Sequence, residues 1–133
     1  MRCEGLRNKA RPRVLVIDDD DDLRALVVRV VEQAGYAVDS ASDGQAGLDR
    51  LAEQTYDVIV CDLRMPRMDG VTFYREVERR DPAVARRIVL MTTHVRTEEY
   101  RDFLRDVHAP VLNKPFTLDD FRSTLAQMVG PRH

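Results

Sequence analysis

The stretch Val14 to Arg24 reads VLVIDDDDDLR and places four apolar residues directly before five consecutive aspartates. The apolar part, together with Arg13, is short and continuous, which is typical of a strand covered on both faces. Beyond the aspartates, apolar residues return at helical spacing from Leu23 to Ala34, which predicts an amphipathic helix. Five like charges therefore lie where a buried strand gives way to a helix. Either a solvent-facing loop tolerates this charge, or a cation binds there.

The same alternation of strand and helix continues along the chain. The predicted strands are 13–17, 36–41, 57–62, 87–93 and 110–114, and the predicted helices are 23–34, 43–54, 70–80, 97–107 and 118–128. Five strands alternating with five helices indicate a parallel sheet with helices on both faces. At 133 residues, without a repeat or a low-complexity linker, the chain is expected to form one α/β domain around a single core.

Composition indicates an ordinary soluble globular protein. With a formal charge of −2, the chain has no overall attraction to nucleic acid or to anionic membranes. No window has the length of a signal sequence or a membrane span, and Cys3 and Cys61 lack the spacing of a disulfide framework or a zinc site. We therefore expect a cytoplasmic protein with a flexible basic arm at 1–12 and a folded domain at 13–130.

Polar side chains stand at the ends of four predicted strands. Parallel α/β sheets bind their ligands outside the carboxyl ends of the strands, so these residues are candidates for a functional site. They are Asp18 and Asp19 after the first strand, Asp62 after the third, Thr92 after the fourth and Lys114 after the fifth. Three carboxylates, one hydroxyl and one ammonium are thus expected at one rim of the sheet.

Carboxylates gathered at one rim require a counter-charge. Two unit charges about 4 Å apart repel by about 4 kcal/mol at an effective dielectric constant of 20. Lys114 supplies one positive charge, and Mg²⁺ suits the remainder because no histidine or cysteine stands at these strand ends. A carboxylate beside Mg²⁺, an ammonium and a hydroxyl is also suited to attack phosphorus. Asp62, which ends the most apolar strand, is the best candidate for that nucleophile.

Four motifs, VLVIDDD, DVIVCDLRMPRMDG, VLMTT and VLNKPF, follow one another between about Arg13 and Val129. With these motifs in this order, the chain resembles the receiver domains of bacterial two-component response regulators, including the chemotaxis and single-domain receivers. The resemblance implies a flavodoxin-like doubly wound (βα)5 sandwich with a five-stranded parallel sheet in the order 2-1-3-4-5. It also implies a phosphoacceptor module of a phosphorelay.

The resemblance assigns roles at the phosphorylation site. Asp62 would accept the phosphoryl group, Thr92 would hydrogen-bond it, and Lys114 would pair with it. The bond between Lys114 and Pro115 would be cis and would aim the lysine into the site. Gly70 would permit a backbone conformation that other residues resist, in the turn that follows the nucleophile.

The resemblance also implies how Mg²⁺, the expected cofactor, is held. Asp19 and Asp62 would bind it directly together with the backbone carbonyl of Arg64, and Asp18 would act through water. The rest of the acidic run has a separate explanation, because Asp20 is the expected N-cap of the first helix and the next two aspartates lie in its first turn.

Two features depart from the usual receiver pattern. Val111 stands where the family carries an aromatic residue that rotates on phosphorylation, so that mode of output is not expected here. Arg64 and His94 occupy positions where the family controls the access of water to the acyl phosphate. We interpret both as side chains that shield the acyl phosphate or, equally, as solvent-facing loop residues. Cys61 is interpreted as packing, not as a redox group.

The implied partners are a histidine kinase or histidine phosphotransfer protein and an unidentified downstream protein, with neither nucleic acid nor membrane as a direct partner. We expect a monomer or weak dimer, and no enzyme beyond promotion of its own phosphotransfer and autodephosphorylation. Alternatives are a receiver fragment of a hybrid histidine kinase or other multidomain regulator, and a phosphorylation-independent adaptor. An aspartate-nucleophile phosphatase is disfavoured because Arg64 replaces its second aspartate, and a flavin or dinucleotide binder because no glycine-rich loop follows the first strand.

Overall fold

The computed structural model describes residues 11–65, 67–92, 98–107, 109–114 and 116–129, with the backbone alone at 98 and 99. Residues 1–10 of the predicted arm, His94 and Pro115 lie outside the described residues.

Five strands and six helices make up the described chain. In order they are β1 (Arg13–Ile17), α1 (Asp21–Gln33), β2 (Ala37–Ala41), α2 (Gly44–Glu53), β3 (Val58–Asp62), α3 (Gly70–Arg80), α4 (Pro82–Ala85), β4 (Ile88–Thr92), α5 (Glu98–Asp106), β5 (Val111–Asn113) and α6 (Leu118–Val129). All ten predicted elements are present, and none of their ends differs by more than two residues. None of the helices within the described ranges combines the length and apolar character needed to cross a membrane.

The short helix α4 was not predicted, so the expectation of five helices was wrong by one. Its signal is nevertheless in the sequence: Asp81 is the N-cap and accepts a hydrogen bond from the Ala83 N–H at 3.1 Å, and Pro82 occupies the first helical turn. Proline is favoured there because its fixed φ suits a helix and its missing N–H has no partner to lose. A single turn shows no apolar periodicity, which is why the pattern did not reveal it.

The five strands form one parallel sheet in the order β2-β1-β3-β4-β5. This is the order expected for a flavodoxin-like doubly wound fold, in which the direction of winding reverses beside β1. In register, Val14 of β1 lies between Val38 of β2 and Val58 of β3. The switch point therefore falls between β1 and β3, and the carboxyl ends of these two strands are adjacent.

Helices cover both faces of the sheet because alternate strand residues point in opposite directions. Val14 and Val16 contact the layer formed by α1 and α6, whereas Leu15 and Ile17 contact the layer formed by α2, α3 and α5. Every residue of β3 and β4 is buried. Strands covered on both faces read as continuous apolar runs, which is the pattern that the sequence shows.

Gly47 lies in the interior of α2, where glycine is intrinsically unfavourable. Its position is explained by packing, because a Cβ atom there would lie 2.5 Å from Cδ1 of Ile17 and 3.2 Å from Cε1 of Phe73. Ile17 and Phe73 are fully buried, so neither can move aside into solvent. The missing side chain thus allows α2 to approach the sheet beside β1.

We predict that the Gly47→Ala and Ile17→Val substitutions compensate each other. Overpacking by the added methyl group costs about 1–3 kcal/mol, partly offset by about 1 kcal/mol from the better helix propensity of alanine. Ile17→Val removes Cδ1 and alone costs about 0.5–1.5 kcal/mol. In the double variant the free energy of unfolding, measured by urea denaturation, should be at least about 0.5 kcal/mol higher than the value expected if the two single losses simply added. Simple additivity would contradict the close contact.

Candidate functional site

Strand alternation brings three charged residues to one side of the sheet. Val58 and Val60 of β3 face α1 and α6, so Asp62, two residues further on, has the same orientation. Asp18 follows Val16 of β1 by the same two-residue step, and Lys114 follows Leu112 of β5. Because the strands are parallel, all three residues lie at the carboxyl edge of the sheet.

The carboxylates of Asp18, Asp19 and Asp62 form a compact cluster, with one oxygen atom from each lying within 4.8 Å of the others. Lys114 Nζ donates to Asp62 Oδ2 at 3.0 Å and to Asp18 Oδ2 at 3.4 Å. Asp18 is fully buried, Asp62 is 7% exposed and Asp19 is exposed. We refer to these three carboxylates and Lys114 as the cleft: Asp18 and Asp62 form its buried floor, and the Asp19 carboxylate lies at the surface.

The charges in this cleft are incompletely balanced. Burial raises the pKa of the Asp62 carboxyl, and the nearby Asp18 charge acts in the same direction, while Lys114 offsets them only in part. Burial lowers the pKa of the Lys114 ammonium, but its hydrogen bond to Asp62 and the two carboxylate charges outweigh burial, so its pKa is raised. Lys114 thus stays a cation, and the site favours the arrival of further positive charge.

The donor set fits a hard divalent cation. Three carboxylates face one ammonium, which leaves an excess of negative charge, and every candidate donor atom in the cluster is an oxygen. Such a set suits Mg²⁺ and offers nothing that a softer metal prefers. The Arg64 N–H donates to Asp62 Oδ1 at 3.3 Å, so the residue expected to supply a carbonyl to the metal lies beside the cluster.

Thr92 is the last residue of β4, adjacent to the cluster. Its neighbour Met91 is the register partner of Asp62. The Thr92 carbonyl accepts a hydrogen bond from the Lys114 N–H at 2.8 Å. This backbone hydrogen bond links Thr92 to Lys114, which contacts the cluster. Thr92 is buried.

The last three aspartates of the run belong to the start of α1, as predicted. Asp20 is the N-cap of α1, and its side chain accepts from the Leu23 N–H at 3.1 Å. Asp21 and Asp22 lie in the first helical turn, where the helix dipole favours negative charge. The Asp20 N–H donates to Asp18 Oδ1 at 2.9 Å, which ties the cap to the cluster.

The prediction that Gly70 is needed for an unusual backbone conformation is wrong. Gly70 has no positive φ. Instead, a Cβ atom there would lie 2.6 Å from the Asp62 carbonyl oxygen and 2.7 Å from Leu63 Cα, so the start of α3 packs directly on the backbone of the nucleophile candidate. Among the described residues of this loop, the positive φ belongs to Arg67, at 67°. Its guanidinium lies 3.4 Å from the Asp43 carboxylate.

Cys61 and Val111 behave as ordinary packing residues. Cys61 is fully buried among apolar neighbours, and burial, reinforced by the charge of Asp62, raises the pKa of its thiol well above the usual value. A thiol that remains protonated and inaccessible is unreactive. Val111 is half-buried in β5 and pairs in register with Leu90.

Sequence reasoning missed Arg24. Its Nη1 donates to the Asp18 carbonyl at 2.8 Å, and its Nη2 donates to Asp21 Oδ1 at 2.7 Å. The spacing of Asp21 and Arg24 suggests a pair on one helix face. The contact with Asp18, however, depends on the turn between β1 and α1, which periodicity does not describe.

Comparison with known proteins agrees with this geometry. The family model described as "Response regulator receiver domain" matches residues 14–126. The response regulator receiver protein CpdR of Brucella abortus is 32% identical over 117 residues, which are 88% of this chain and 96% of CpdR. The transcriptional regulatory protein ZraR of Escherichia coli K12 is 29% identical over 120 residues, which are 90% of this chain but only 27% of ZraR.

Solved structures show the same fold. Chemotaxis protein CheY4 of Vibrio cholerae superposes with a TM-score of 0.78 at 28% identity, covering 89% of this chain and 98% of CheY4. Response regulator TrrA of Thermotoga maritima, solved in complex with Mg²⁺ and BeF, has a TM-score of 0.76 at 25% identity and covers 88% of this chain and 98% of TrrA. Because the family model spans most of the sequence and CpdR matches along nearly its whole length, this chain belongs to the response regulator receiver domain family.

Proposed function

We propose that this receiver domain accepts a phosphoryl group on Asp62, with Mg²⁺ as cofactor, from a histidine kinase or a histidine phosphotransfer protein. Receiver domains of two-component systems are signalling modules. The observation that carries the proposal is the cluster of Asp18, Asp19 and Asp62 with Lys114 Nζ 3.0 Å from Asp62. These groups provide a nucleophile, a cation and a set of metal ligands within one cleft.

The Mg²⁺ part of the proposal rests on donor chemistry. Asp19 and Asp62, with the Arg64 carbonyl, are the proposed direct ligands, and Asp18 acts through water. Mg²⁺ supplies neutralisation of negative charge on phosphoryl oxygens. The presence of Mg²⁺ and BeF in the structure of TrrA, a relative at 25% identity, is consistent with the same use here.

The proposed transfer needs one nucleophile and one leaving group. An Asp62 carboxylate oxygen forms a bond to phosphorus while the bond from phosphorus to the donor imidazole nitrogen breaks. The electron pair of that bond stays with the imidazole. Lys114 compensates charge on the phosphoryl oxygens, and Thr92 donates its hydroxyl hydrogen to one of them. The buried floor of the cleft strengthens these electrostatic contacts by excluding water.

Phosphorylation adds a charge of about −1.5 to −2 next to Thr92 and Lys114, and the signal is a population shift biased by these contacts. Val111 has no large ring to rotate, so the proposed output uses rearrangement of the backbone around β4 and β5. Arg64 is exposed beside Asp62, and we include in the proposal that it shields the acyl phosphate from water.

We infer that the domain spans 13–130, in support of which the family model covers 14–126. Relatives show two organisations: this chain corresponds to almost all of CpdR and to about a quarter of ZraR. The proposed activity is limited to the protein's own phosphotransfer and autodephosphorylation. The proposed downstream partner is a protein that distinguishes the two states by contact.

We predict that incubation with Mg²⁺ and acetyl phosphate adds one phosphoryl group to the wild-type protein and none to Asp62→Asn. The amide of asparagine cannot act as the nucleophile, although it fills the same space. Intact-mass spectrometry measures the adduct, and mild hydroxylamine treatment should remove it. Asp57→Asn, a substitution outside the cluster, provides the control and should be labelled like the wild type.

Other results of the same experiment would contradict the proposal. Rapid hydrolysis of acetyl phosphate in large excess over the protein, without accumulation of the phosphorylated protein, would indicate a phosphatase. An unlabelled wild-type protein that still binds Mg²⁺ would indicate a phosphorylation-independent adaptor.

We predict opposite fates for two neighbouring aspartates. Asp19→Ala should abolish Mg²⁺-dependent phosphorylation and Mg²⁺-dependent stabilisation, whereas Asp22→Ala should retain both and lose only about 0.3–1 kcal/mol of stability from the helix terminus. In wild type, Mg²⁺ at ten times its Kd should raise the free energy of unfolding by about 1.4 kcal/mol. Urea denaturation with and without Mg²⁺ measures this difference. Equal Mg²⁺ stabilisation of Asp19→Ala would exclude Asp19 as a ligand.

We predict that Asp62→Asn is more stable than wild type in the presence of a chelator at pH 7. The pKa of Asp62 is raised above its ordinary value of 3.8, so the folded state favours the protonated carboxyl. The stability that this protonation contributes is fully present below pH 3.8 and is lost as the pH rises through the folded-state pKa. The advantage of Asn should therefore shrink as the pH is lowered toward 4. Denaturation curves between pH 4 and 8 measure it, with Asp106→Asn, an exposed site, as control. If the two proteins differed in stability by the same amount at every pH in this range, the predicted destabilisation by the ionised Asp62 carboxylate would be contradicted.

A further inference from the structure

We propose that Arg24 is a positioning residue that fixes the direction of the Asp19 carboxylate and thereby sets the affinity of the site for Mg²⁺. This inference rests on the proposed function, because it concerns the same cleft. It is carried by the two hydrogen bonds that the Arg24 guanidinium makes across the junction between β1 and α1, to the Asp18 carbonyl at 2.8 Å and to Asp21 Oδ1 at 2.7 Å.

Asp19 lies between two peptide groups that are each held by a hydrogen bond. The carbonyl of the preceding peptide, on Asp18, accepts from Arg24, and the N–H of the following peptide, on Asp20, donates to Asp18 Oδ1 at 2.9 Å. Rotation of either peptide would turn the Asp19 side chain out of the cluster. Asp19 itself is exposed, so packing does not hold its side chain in place.

Asp18 provides the fixed end of this arrangement. It is fully buried, its N–H donates to the Ala41 carbonyl at 3.2 Å, and its carboxylate contacts Lys114. Arg24 joins this fixed residue to the first turn of α1 through Asp21, and its own side chain is only 20% exposed. The guanidinium therefore links the residue before Asp19, at the buried end of β1, to the first turn of α1 after it.

The shape of the guanidinium suits this task. Two of its N–H groups point in fixed directions in one plane, so one side chain holds a carbonyl and a carboxylate at the same time. A lysine at the same position would keep the charge but would lack the rigid fork. In other proteins, removal of the groups that orient metal ligands lowers the metal affinity by about 10- to 100-fold.

Charge alone makes the opposite prediction. Arg24 is a cation close to a site that binds a cation, so its removal should strengthen Mg²⁺ binding if electrostatics were its only effect. Positioning predicts that binding weakens. The sign of the change therefore separates the two roles.

The test is a calorimetric or NMR titration of the full chain with Mg²⁺ in wild type, Arg24→Ala, Arg24→Lys and Arg29→Ala. We expect Arg24→Ala to raise the Kd for Mg²⁺ by about tenfold or more, and Arg24→Lys to raise it although the net charge is unchanged. Arg29→Ala removes the same charge from an exposed position of α1 and should leave the Kd within about twofold or lower it slightly, since an exposed charge is largely screened.

A second measurement excludes a general loss of structure. At saturating Mg²⁺, phosphorylation of Arg24→Ala by acetyl phosphate should approach the wild-type rate, because Asp62 and Lys114 are untouched, whereas at low Mg²⁺ it should fall in proportion to the lost affinity. If Arg24→Ala does not fold by circular dichroism in a chelator, Arg24→Lys alone decides the question. Its Kd would then have to match that of wild type to overturn the inference.

The outcomes are distinguishable from failure of the proposed function. A wild-type chain that binds no Mg²⁺ would overturn the proposed function and this inference together. A wild-type chain that binds Mg²⁺ and accepts the phosphoryl group, together with an Arg24→Ala variant that binds Mg²⁺ equally or more tightly, would overturn the positioning role alone.

Discussion

The mutual repulsion of three carboxylates at one edge of a parallel sheet is the constraint on which the site depends. Parallel strands bring their carboxyl ends together, so Asp18 and Asp62 become neighbours although they are distant in sequence. In a buried cleft this repulsion is weakly screened, and it costs stability unless a cation is present. Lys114, which is distant in sequence, neutralises part of this charge through contacts of its Nζ with Asp62 at 3.0 Å and with Asp18 at 3.4 Å. The remaining negative charge is the basis for proposing Mg²⁺ as the ligand of this cleft.

A site of this kind requires that the charged groups cannot separate. Each is attached to backbone that the fold holds in place: Asp62 lies within β3, and Gly70 packs against its carbonyl. Asp18 is held at its N–H, its carbonyl and both carboxylate oxygens. The fold therefore holds the carboxylates together despite their repulsion, which a bound cation would relieve.

The same backbone contacts bear on the proposed signalling. Thr92 and Lys114 end neighbouring strands and are joined by the hydrogen bond from the Lys114 N–H to the Thr92 carbonyl. Under the proposed function, a phosphoryl group on Asp62 would contact both residues, so its effect would pass first to β4 and β5. Val111 lies in β5 beside Leu90 and is too small to act as a rotating switch. For this reason the proposed function assigns the output to displacement of the backbone.

The sequence by itself determined the alternation of strands and helices, the edge of the sheet that carries the site, and the chemical nature of its charged residues. Those features follow from apolar periodicity and from the parallel direction of the strands, which are local and additive signals. The strand order and individual roles came from the family resemblance, and the order is confirmed. Helix α4 escaped prediction because a single turn has no period.

Tertiary structure alone decided which atoms meet. It showed that Gly47 and Gly70 are required by close approach, because contacts with Ile17 and Asp62 arise only when separate elements pack together. It also brought the Arg24 guanidinium to the Asp18 carbonyl, a contact set by the path of one turn. Sequence patterns encode which face of an element is apolar. They do not encode the distance at which that face meets its neighbour, and in this protein that distance fixes the geometry of the site.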